Sequence, residues 1–366
     1  MGEKEKEYVS EAFLTNWVAP LGPNVDIFER QLSDYLGVKG AVSLNSGTAA
    51  LHLSLISIGI KPGDVVLCQS FTFAASAFPI VYMGANPVFI DSEQDTWNMD
   101  TVLLEKAIVE SIEKGQKPAA IIVVHLYGMP AKMDSIVSIS DKYQIPIIED
   151  AAEALGSSYH NKKCGSFGDV SIVSFNGNKI ITTSGGGALI SNNEDWIQKT
   201  RHLSAQAKDA APYYLHTQIG YNYRMSNICA GIGRGQMEVL QHRVARRREI
   251  FELYVKELGN IEGVSFQKEN EASFSNRWLT TMLLDEEKFG IGMNDNIRIE
   301  LEKCNIESRP LWKPLHQQPV FENCVRYING VSDKLFSTGI CLPSGSNNDN
   351  EVIDTVINQI KKVILK

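Results

Sequence analysis

Apolar and polar positions alternate in blocks between residues 40 and 190. Four short runs are almost continuously apolar, which is typical of strands buried on both faces of a sheet: VVLCQS, NPVFIDS, AAIIVVHLYG and IPIIEDAA. Three stretches between them have the length or the periodicity of helices: TAALHLSLISIGI, FTFAASAFPIVYMG and MDSIVSISDKYQ. This alternation predicts an α/β fold with a largely parallel sheet that helices cover on both faces.

The pattern changes beyond residue 235. Residues 235–258 have the periodicity of one long helix, and the segments after it mix strands such as RWLTTMLL with helices such as NEVIDTVINQIKKVI. We therefore predict a large domain over residues 1–245 and a smaller C-terminal α+β domain over residues 246–366.

The long helix carries a basic run, formed by Arg243, Arg246, Arg247 and Arg248. Charges at such spacing usually form the solvated face of a helix, and the acidic residues that follow are their natural partners. We interpret the run in this way and assign it no ligand.

Composition and charge restrict the possible partners. The chain has 366 residues, of which 43% are hydrophobic and 21% charged, as in an ordinary globular protein large enough for two domains. Its formal net charge of −8 argues against a general nucleic-acid or membrane surface, because phosphate backbones and anionic lipids are bound by excess Lys and Arg. A small anionic ligand could still bind in a local basic pocket.

The N-terminus, MGEKEKEYVS, lacks the apolar core of a signal peptide, and no later segment is apolar enough to span a bilayer. The sequence therefore predicts a cytoplasmic protein. Six cysteines form no Cys-x-x-Cys pair, so they indicate neither a metal site nor a disulfide framework, and reduced thiols are expected. They are Cys68, Cys164, Cys229, Cys304, Cys324 and Cys341.

The segment LNSGTAAL is the first candidate binding site. A predicted strand ends at Ser46, Gly47 and Thr48 and leads directly into a helix. Free backbone N–H groups and the positive end of the helix dipole at such a junction can bind a phosphate. Ser and Thr are also the ordinary residues of a helix N-cap, so the motif by itself favours a simple cap.

Two carboxylates, Glu149 and Asp150, close the predicted buried strand IPIIED. An unpaired carboxylate would be costly to desolvate there, so a partner is expected. That partner is either an arginine or a helix N-terminus, or else the protonated heterocyclic nitrogen of a cofactor.

Lys179 lies between two further predicted strands, VSIVSFN and GGALIS. A single loop lysine is usually solvated. Together with the phosphate seat and the buried carboxylate, however, it completes the requirements of pyridoxal phosphate: a lysine for a Schiff base, a carboxylate for the pyridine nitrogen and a cup for the phosphate. The glycine run after it has no G-x-G-x-x-G spacing and opens no helix, which excludes a dinucleotide fingerprint.

Seven ordered blocks of the chain resemble the DegT/DnrJ/EryC1/StrS family of sugar-nucleotide aminotransferases. They are NWVAPLGPNVDIFE, NSGTAALHL, VVHLYGMP, IEDAAEALGS, SFNGNKIITTSGGGAL, GYNYRMSN and RPLWKPLHQQPVF. The resemblance implies an α/β protein of fold type I, with a mainly parallel seven-stranded-type sheet in the large domain and a smaller C-terminal α+β domain. It also implies pyridoxal 5'-phosphate as the cofactor.

The resemblance assigns roles to several residues around this cofactor. Lys179 matches the lysine that binds the cofactor and carries protons, and Asp150 matches the partner of the pyridine nitrogen, where a negative charge raises the pKa of the ring nitrogen. Phe73 matches an aromatic residue stacked on the ring. Glu153 falls close to the hydroxyl edge of the ring, at a position that relatives fill with His, Gln or Glu, and its role is left open. The matching phosphate contacts are Gly47, Thr48 and Ser174, beside Ser46.

GYNYRMSN resembles the segment that crosses into the neighbouring subunit. The resemblance therefore implies a homodimer with active sites at the subunit interface, in which Asn222 binds the phosphate of the partner's cofactor. Arg224 either contacts a ligand or pairs with an acid. Because the sequence keeps Lys179, where some relatives have histidine and act as dehydratases, the resemblance favours transamination.

The first and last blocks are most similar to the branch that acts on UDP-linked 2-acetamido-4-keto-6-deoxyhexoses, as in bacillosamine and legionaminic acid pathways. The resemblance implies L-glutamate as the amino donor and Trp17, Trp312, Lys313 and His316 as substrate contacts, although the tryptophans could simply pack. Other acceptors, namely dTDP- or GDP-linked 3- or 4-ketosugars, stay open. A dehydratase and a non-catalytic sensor that binds pyridoxal phosphate are the alternative functions.

Overall fold

The computed structural model describes residues 1–365, which contain fifteen β-strands and thirteen α-helices. The strands are β1 (Gly40–Leu44), β2 (Val65–Gln69), β3 (Asn86–Ile90), β4 (Ala120–Val124), β5 (Ile147–Asp150), β6 (Ser158–Tyr159), β7 (Lys162–Lys163), β8 (Val170–Ser174), β9 (Gly187–Ser191), β10 (Val264–Phe266), β11 (Ser273–Phe274), β12 (Thr280–Leu284), β13 (Arg309–Pro310), β14 (Arg326–Tyr327) and β15 (Gly339–Leu342). The helices are α1 (Lys4–Leu14), α2 (Pro23–Leu36), α3 (Gly47–Ile58), α4 (Phe78–Tyr82), α5 (Thr101–Glu113), α6 (Met133–Tyr143), α7 (Glu194–Ser204), α8 (Asn227–Glu238), α9 (Leu240–Leu258), α10 (Glu286–Phe289), α11 (Met293–Lys303), α12 (Val331–Thr338) and α13 (Asn350–Ile364). None of these described helices is long and apolar enough to cross a membrane.

Eight of the described strands form one sheet in the order β1-β9-β8-β5-β4-β2-β3-β14. The strands from β8 to β14 run parallel to their neighbours, whereas β9 is antiparallel to both β8 and β1. Seven of the eight precede residue 192, and the two-residue strand β14 joins them at one edge. The predicted α/β fold with a mainly parallel sheet is confirmed.

Alternating side chains of the main sheet face two different helical layers. In β2, Val66 packs with Leu53 of α3, whereas its neighbour Leu67 belongs to the cluster of Leu104 from α5 and Ile136 from α6. Burial on both faces explains why the strands are almost continuously apolar in sequence.

The C-terminal part has its own antiparallel sheet, in the order β10-β12-β15-β13. Residues of α9, α11 and α13 form a core with it, among them Ile250, Ile297 and Ile357. The predicted boundary at 245/246 falls inside α9, and β11 and β14 both pair with strands of the N-terminal part. The exact limits of the two domains stay a prediction.

The stretch FTFAASAFPIVYMG does not form one helix, so that prediction was wrong. The chain is extended at Phe73, makes a 3-10 turn over Ala74–Ser76 and then forms the short helix α4. Pro79 lies in the first turn of α4, where its missing N–H is tolerated, and a helix continuing through it from Phe73 would lose a hydrogen bond. The break leaves Phe73 and Ser76 at the wall of a cavity.

Candidate active site

The carboxyl ends of β1, β5 and β8 lie at one edge of the main sheet, beside a cavity of about 920 Å³. Nine residues singled out from the sequence line this cavity: Ser46, Gly47, Thr48, Phe73, Asp150, Glu153, Ser174, Lys179 and Trp312. The cavity continues along the C-terminal part past Ser308 and Arg309 to Asn348. Its size is at the upper end of the usual range for ligand sites, about 300–1,000 Å³.

The N-terminus of α3 combines a helix cap with a close approach of three backbone segments. Ser46 Oγ accepts a hydrogen bond from Ala49 N–H at 3.0 Å, so this side chain is a true cap. A Cβ atom on Gly47 would lie 3.1 Å from Ser174 Cβ, and one on Gly187 would lie 2.5 Å from Gly47 N. These glycines leave room for a cup in which the N–H groups of Gly47 and Thr48, at the start of the helix, lack helical partners and can bind an anion.

Asp150 is buried at the end of β5. Its Oδ2 accepts a hydrogen bond from Ser76 Oγ at 2.7 Å, and its Oδ1 accepts one from Ala152 N–H at 3.1 Å. Burial raises the pKa of this carboxyl group, and the two hydrogen bonds oppose the shift. Neither donor is charged, so the carboxylate can still take a cationic partner such as a protonated ring nitrogen.

Lys179 is not a solvated loop lysine. Its side chain is 11% exposed, and its Nζ lies 3.7 Å from Glu153 Oε1 and 4.2 Å from the centre of the Trp278 ring. The backbone of the loop is held by a bond from Trp278 Nε1 to Asn178 O at 2.8 Å. An aromatic face and a carboxylate both stabilise an ammonium group, so they define where the free amine of Lys179 rests.

Glu153 is buried beside Lys179, and its Oε2 accepts a hydrogen bond from Tyr127 N–H at 2.7 Å. Burial raises the pKa of Glu153 to about 7; the charge of Asp150 adds to this, while Lys179 and the Tyr127 amide oppose it. This acid therefore changes its protonation near neutral pH, directly beside the amine.

Glu149 precedes Asp150 but points into a separate polar network. Its two oxygens accept hydrogen bonds from five donors: His125 Nε2, the N–H groups of Gly165, Phe167 and Gly168, and Ser171 Oγ. With His125 and Cys164 it forms the group of potential metal ligands found within residues 1–365. Because its lone pairs already have donors, we interpret this network as a support for the end of β5.

The interpretation of the basic run as wholly solvated was wrong for Arg247, which is 6% exposed. Its guanidinium donates to Trp278 O and, at 3.5 Å, to Lys179 O. Arg247 belongs to the buried stripe of α9, at three-residue spacing from both Val244 and Ile250. That spacing was the available signal in the sequence. Arg246 instead pairs with Glu249 at 3.1 Å, as expected for a surface pair.

The remaining residues taken from the resemblance lie outside the cavity of this chain. Arg224 forms an ion pair with Glu29 at 3.0 Å, which answers the open question about its partner within the chain. His316 is buried between Ser70 Oγ at 2.7 Å and Asp333 Oδ1 at 2.8 Å, so it anchors its segment to the residue after β2 and to α12.

Three further predicted residues, Trp17, Lys313 and Asn222, are exposed. The backbone oxygen of Asn222 accepts a hydrogen bond from Asn45 Nδ2 at 3.2 Å, which ties its segment to the region after β1. Their predicted contacts with ligands and with a second subunit stay predictions.

Sequence reasoning missed two aromatic residues of the site, Tyr127 and Trp278. Their rings lie 6.4 Å apart and nearly parallel, and Trp312 packs 5.0 Å from Tyr127 and 6.0 Å from Trp278. Tyr127 lay inside the quoted block VVHLYGMP, but its contacts come from distant segments. We found no local pattern that would have identified Trp278.

Comparisons with known proteins show that the chain is similar to one family of aminotransferases. The model of the DegT/DnrJ/EryC1/StrS aminotransferase family matches residues 1–361. EpsN of Bacillus subtilis strain 168, whose name describes a pyridoxal-phosphate-dependent aminotransferase, is 52% identical over 374 residues, covering 100% of this chain and 95% of that protein. GDP-perosamine synthase of Escherichia coli O157:H7 is 36% identical, with 98% and 95% covered. UDP-4-amino-4,6-dideoxy-N-acetyl-β-L-altrosamine transaminase of Campylobacter jejuni 81-176 is 40% identical, with 72% and 69% covered.

Solved structures agree with the fold. The sugar aminotransferase Spr1654 of Streptococcus pneumoniae has a TM-score of 0.91 in both its PMP form and its PLP form, with 28% and 27% identity. Each comparison covers 100% of this chain and 97% of that one.

Proposed function

This chain belongs to the DegT/DnrJ/EryC1/StrS aminotransferase family and is a pyridoxal-phosphate-dependent sugar aminotransferase of fold type I, and we propose that it transfers the amino group of L-glutamate to the C4 keto carbon of a UDP-linked 2-acetamido-4-keto-6-deoxyhexose. The observation that carries the proposal is the meeting of Lys179, Asp150 and Glu153 in one cavity that continues past Trp312 to Asn348. Chemistry and acceptor binding can thus share one continuous space.

The residues of the cavity fit pyridoxal phosphate. The glycine-lined cup at the N-terminus of α3, closed by Ser174, would hold the phosphate, and Asp150 would hold the ring nitrogen. Phe73 would cover the ring, and Lys179 would hold the aldehyde carbon. When bound, the cofactor supplies the electron sink that allows a carbon next to nitrogen to lose a proton.

Lys179 is the residue placed to move protons in both half-reactions. Its Nζ would take the proton from the α-carbon of L-glutamate and later return one to the sugar carbon, while Glu153 at 3.7 Å stabilises the ammonium form. L-glutamate leaves as 2-oxoglutarate, and the keto group of the sugar becomes a primary amine. The amino group given up by one substrate is thus taken by the other.

The acceptor side of the proposal rests on the outer part of the cavity. The Trp312 ring lies 5.7 Å from that of Phe73, and these two rings offer an apolar surface for the sugar. Ser308 Oγ is buried in the cavity wall without a hydrogen-bond partner in the described chain, and Arg309 lies beside it. These groups can bind hydroxyl and phosphate oxygens. The Campylobacter jejuni relative, named for a UDP-linked amino sugar, supports UDP.

A GDP-linked 4-ketosugar is the second candidate acceptor. GDP-perosamine synthase matches nearly the whole chain, whereas the UDP-sugar relative matches 72% of it. The two candidate acceptors differ in the nucleotide base and in the 2-acetamido group of the sugar, and the same assay separates them.

The assay begins by mixing the purified enzyme with pyridoxal phosphate and L-glutamate. The absorbance of the cofactor is recorded until the half-reaction is complete. UDP-, GDP- and dTDP-linked 4-ketohexoses are then added separately, and the amino sugar nucleotide and 2-oxoglutarate are quantified by mass spectrometry. We expect the UDP-linked 2-acetamido sugar to give the highest kcat/KM. A higher kcat/KM with the GDP-linked sugar would replace the first candidate by the second, and no product with any of them would overturn both.

We also propose that the active unit is a homodimer in which Asn222 reaches the partner's cofactor site. Tyr213, Tyr214 and Ile219, on the segment before Asn222, are 66%, 80% and 85% exposed, which is unusual for such large apolar side chains so close together. A second subunit would cover them.

Mixing two inactive variants tests this arrangement. In heterodimers of Lys179→Ala with Asn222→Ala, one of the two sites regains both residues if Asn222 acts across the interface. Equal mixing and re-association should then restore about a quarter of wild-type activity, because half of the dimers are mixed and each has one intact site. No recovery would show that Asn222 acts within its own subunit.

A further inference from the structure

Tyr127 connects the acidic side of the site to its aromatic wall. Its backbone N–H donates a hydrogen bond to Glu153 Oε2 at 2.7 Å, and its hydroxyl accepts one from Trp312 N–H at 2.9 Å. Its ring also packs against Trp278, the residue on which Lys179 rests. Through its backbone and its side chain, one residue therefore contacts both parts of the site.

The backbone of Tyr127 adopts a left-handed conformation, with φ of 54°. This is rare for a bulky residue, and such conformations persist where the surrounding structure holds them, often at functional sites. The next residue, Gly128, has φ of 90°, and a Cβ atom there would lie 1.9 Å from Asn276 Oδ1. The tight turn lets the amide of Tyr127 face Glu153 while its ring and hydroxyl face Trp312.

The segment that carries Trp312 is held at both ends and in the middle. Leu311 N–H donates to the first carbonyl of β15 at 3.3 Å, and Leu315 N–H donates to the carbonyl that follows β2 at 2.8 Å. Between these ends, the Tyr127 hydroxyl holds the backbone of Trp312 at 2.9 Å. The bond at Leu311 is long, so the middle contact is the hydrogen bond of ordinary length that holds the backbone of Trp312 itself.

The hydroxyl group is suited to a permanent structural contact. Tyr127 is 1% exposed, and burial raises its pKa well above the ordinary value for tyrosine. The phenol therefore stays neutral over the working pH range and can accept the Trp312 bond throughout.

We propose that Tyr127 is a positioning residue for the acceptor, whose hydroxyl fixes Trp312 and thereby sets the KM for the nucleotide sugar without acting in the donor half-reaction. The inference rests on the proposed function in one respect, since it takes the sugar to bind against Trp312. The hydrogen bond from the backbone N–H of Tyr127 to Glu153 does not involve the Tyr127 side chain, so a change of that side chain leaves the donor in place.

The variant Tyr127→Phe removes the hydroxyl and keeps the ring. Hydrogen exchange of the peptide containing Trp312 should become roughly tenfold faster, because the buried amide loses its partner. With the holoenzyme and whichever ketosugar the wild type aminates, KM for the sugar should rise roughly tenfold, and the rate of the glutamate half-reaction should stay within about twofold.

Tyr159→Phe is the matched control, since it removes a buried tyrosine hydroxyl that donates to Asp134 at 2.7 Å, away from the cavity. It should change neither the exchange at Trp312 nor the KM. Unchanged exchange in Tyr127→Phe would overturn the proposal, and so would an equal loss in both half-reactions. Failure of the wild type to aminate any ketosugar would refute the proposed function, whereas the exchange experiment would still decide whether the hydroxyl holds Trp312.

Discussion

Glu149 and Glu153 lie four residues apart and are both buried, yet their surroundings differ sharply. Burial by itself favours the protonated form of Glu149, but His125 and the other donors outweigh it and hold the pKa below the ordinary value. Glu153 accepts one backbone N–H, from Tyr127, and burial raises its pKa to about 7. The number of donors, and not burial alone, decides whether a buried acid stays charged.

This difference in surroundings gives the two glutamates different roles, structural for Glu149 and chemical for Glu153. Glu149 is a fixed anion that organises the backbone around β5 and β8, and its saturated oxygens leave no place for a substrate. Glu153 has one oxygen directed at Lys179 and a pKa near neutrality, so it can exchange a proton during turnover. Substitutions around Glu149 should therefore change mainly stability, whereas substitutions around Glu153 and Lys179 should change mainly activity or pH dependence.

The largest effect should follow from Lys179→Ala, which removes the amine beside Glu153. Turnover should fall by more than about 10⁴-fold, because both covalent catalysis and proton transfer depend on this amine. The melting temperature should change little, since Lys179 lies in a loop at the cavity wall and its side chain belongs to none of the described apolar cores. Product formation and thermal unfolding measured on the same preparation would check both points. Near-normal transamination would refute the assigned role.

On the structural side, Glu149→Gln should lower the free energy of unfolding by about 3–5 kcal/mol, because buried donors lose a charged acceptor. Glu249→Gln is the control, since Glu249 is an exposed acid that pairs with Arg246 and should matter by less than about 0.5 kcal/mol. Urea unfolding of both variants provides the measurement. If the Glu149→Gln and Glu249→Gln variants were equally stable, Glu149 would have no special structural role, and its proposed difference from Glu153 would be refuted.

Glu153→Gln should alter the dependence of stability on pH. The folded state keeps the Glu153 proton up to about pH 7, whereas the unfolded state releases it near the ordinary value of 4.5, so stability falls as pH rises between these values. A shift of this size corresponds to about 3 kcal/mol. Since Gln does not titrate, the variant should gain most of that amount relative to wild type between pH 5 and pH 8.

Urea unfolding of the cofactor-free protein at pH 5 and pH 8 would measure this gain. A pH-independent difference between variant and wild type would mean that Glu153 is already ionised at pH 5, and the two glutamates would then be alike.

The smallest effect is expected for Arg247→Met, which removes the donor to Trp278 O and Lys179 O. We expect a loss of roughly tenfold in the rate of the glutamate half-reaction, because the lysine loop and Trp278 are held less firmly. Arg246→Met, on the adjacent position of α9, should leave this rate unchanged, since Arg246 binds Glu249 and the region of Asn348. Equal rates in the two variants would make Arg247 a packing residue only.

Much of the main domain could be predicted because its signals are local. Continuous apolar strands, amphipathic helices and polar residues directly after strands follow from backbone periodicity and burial. They predicted the parallel sheet and the meeting of Ser46, Asp150 and Lys179 at one edge of it. The prediction failed where a local rule met a stronger constraint, as at Pro79, which lies in the first turn of the short helix α4 and not inside a helix that begins at Phe73.

The sequence alone thus determined which residues could perform the chemistry, because a lysine, a carboxylate and a glycine-rich turn are chemical types that can be recognised in a string of letters. Tertiary structure decided what surrounds them. Trp278 under Lys179, Arg247 behind the lysine loop and Tyr127 between Glu153 and Trp312 all come from segments distant in the chain. Helical spacing could indicate that Arg247 is buried, but the partners of all three residues depend on how distant elements pack, which the local pattern of the sequence does not encode.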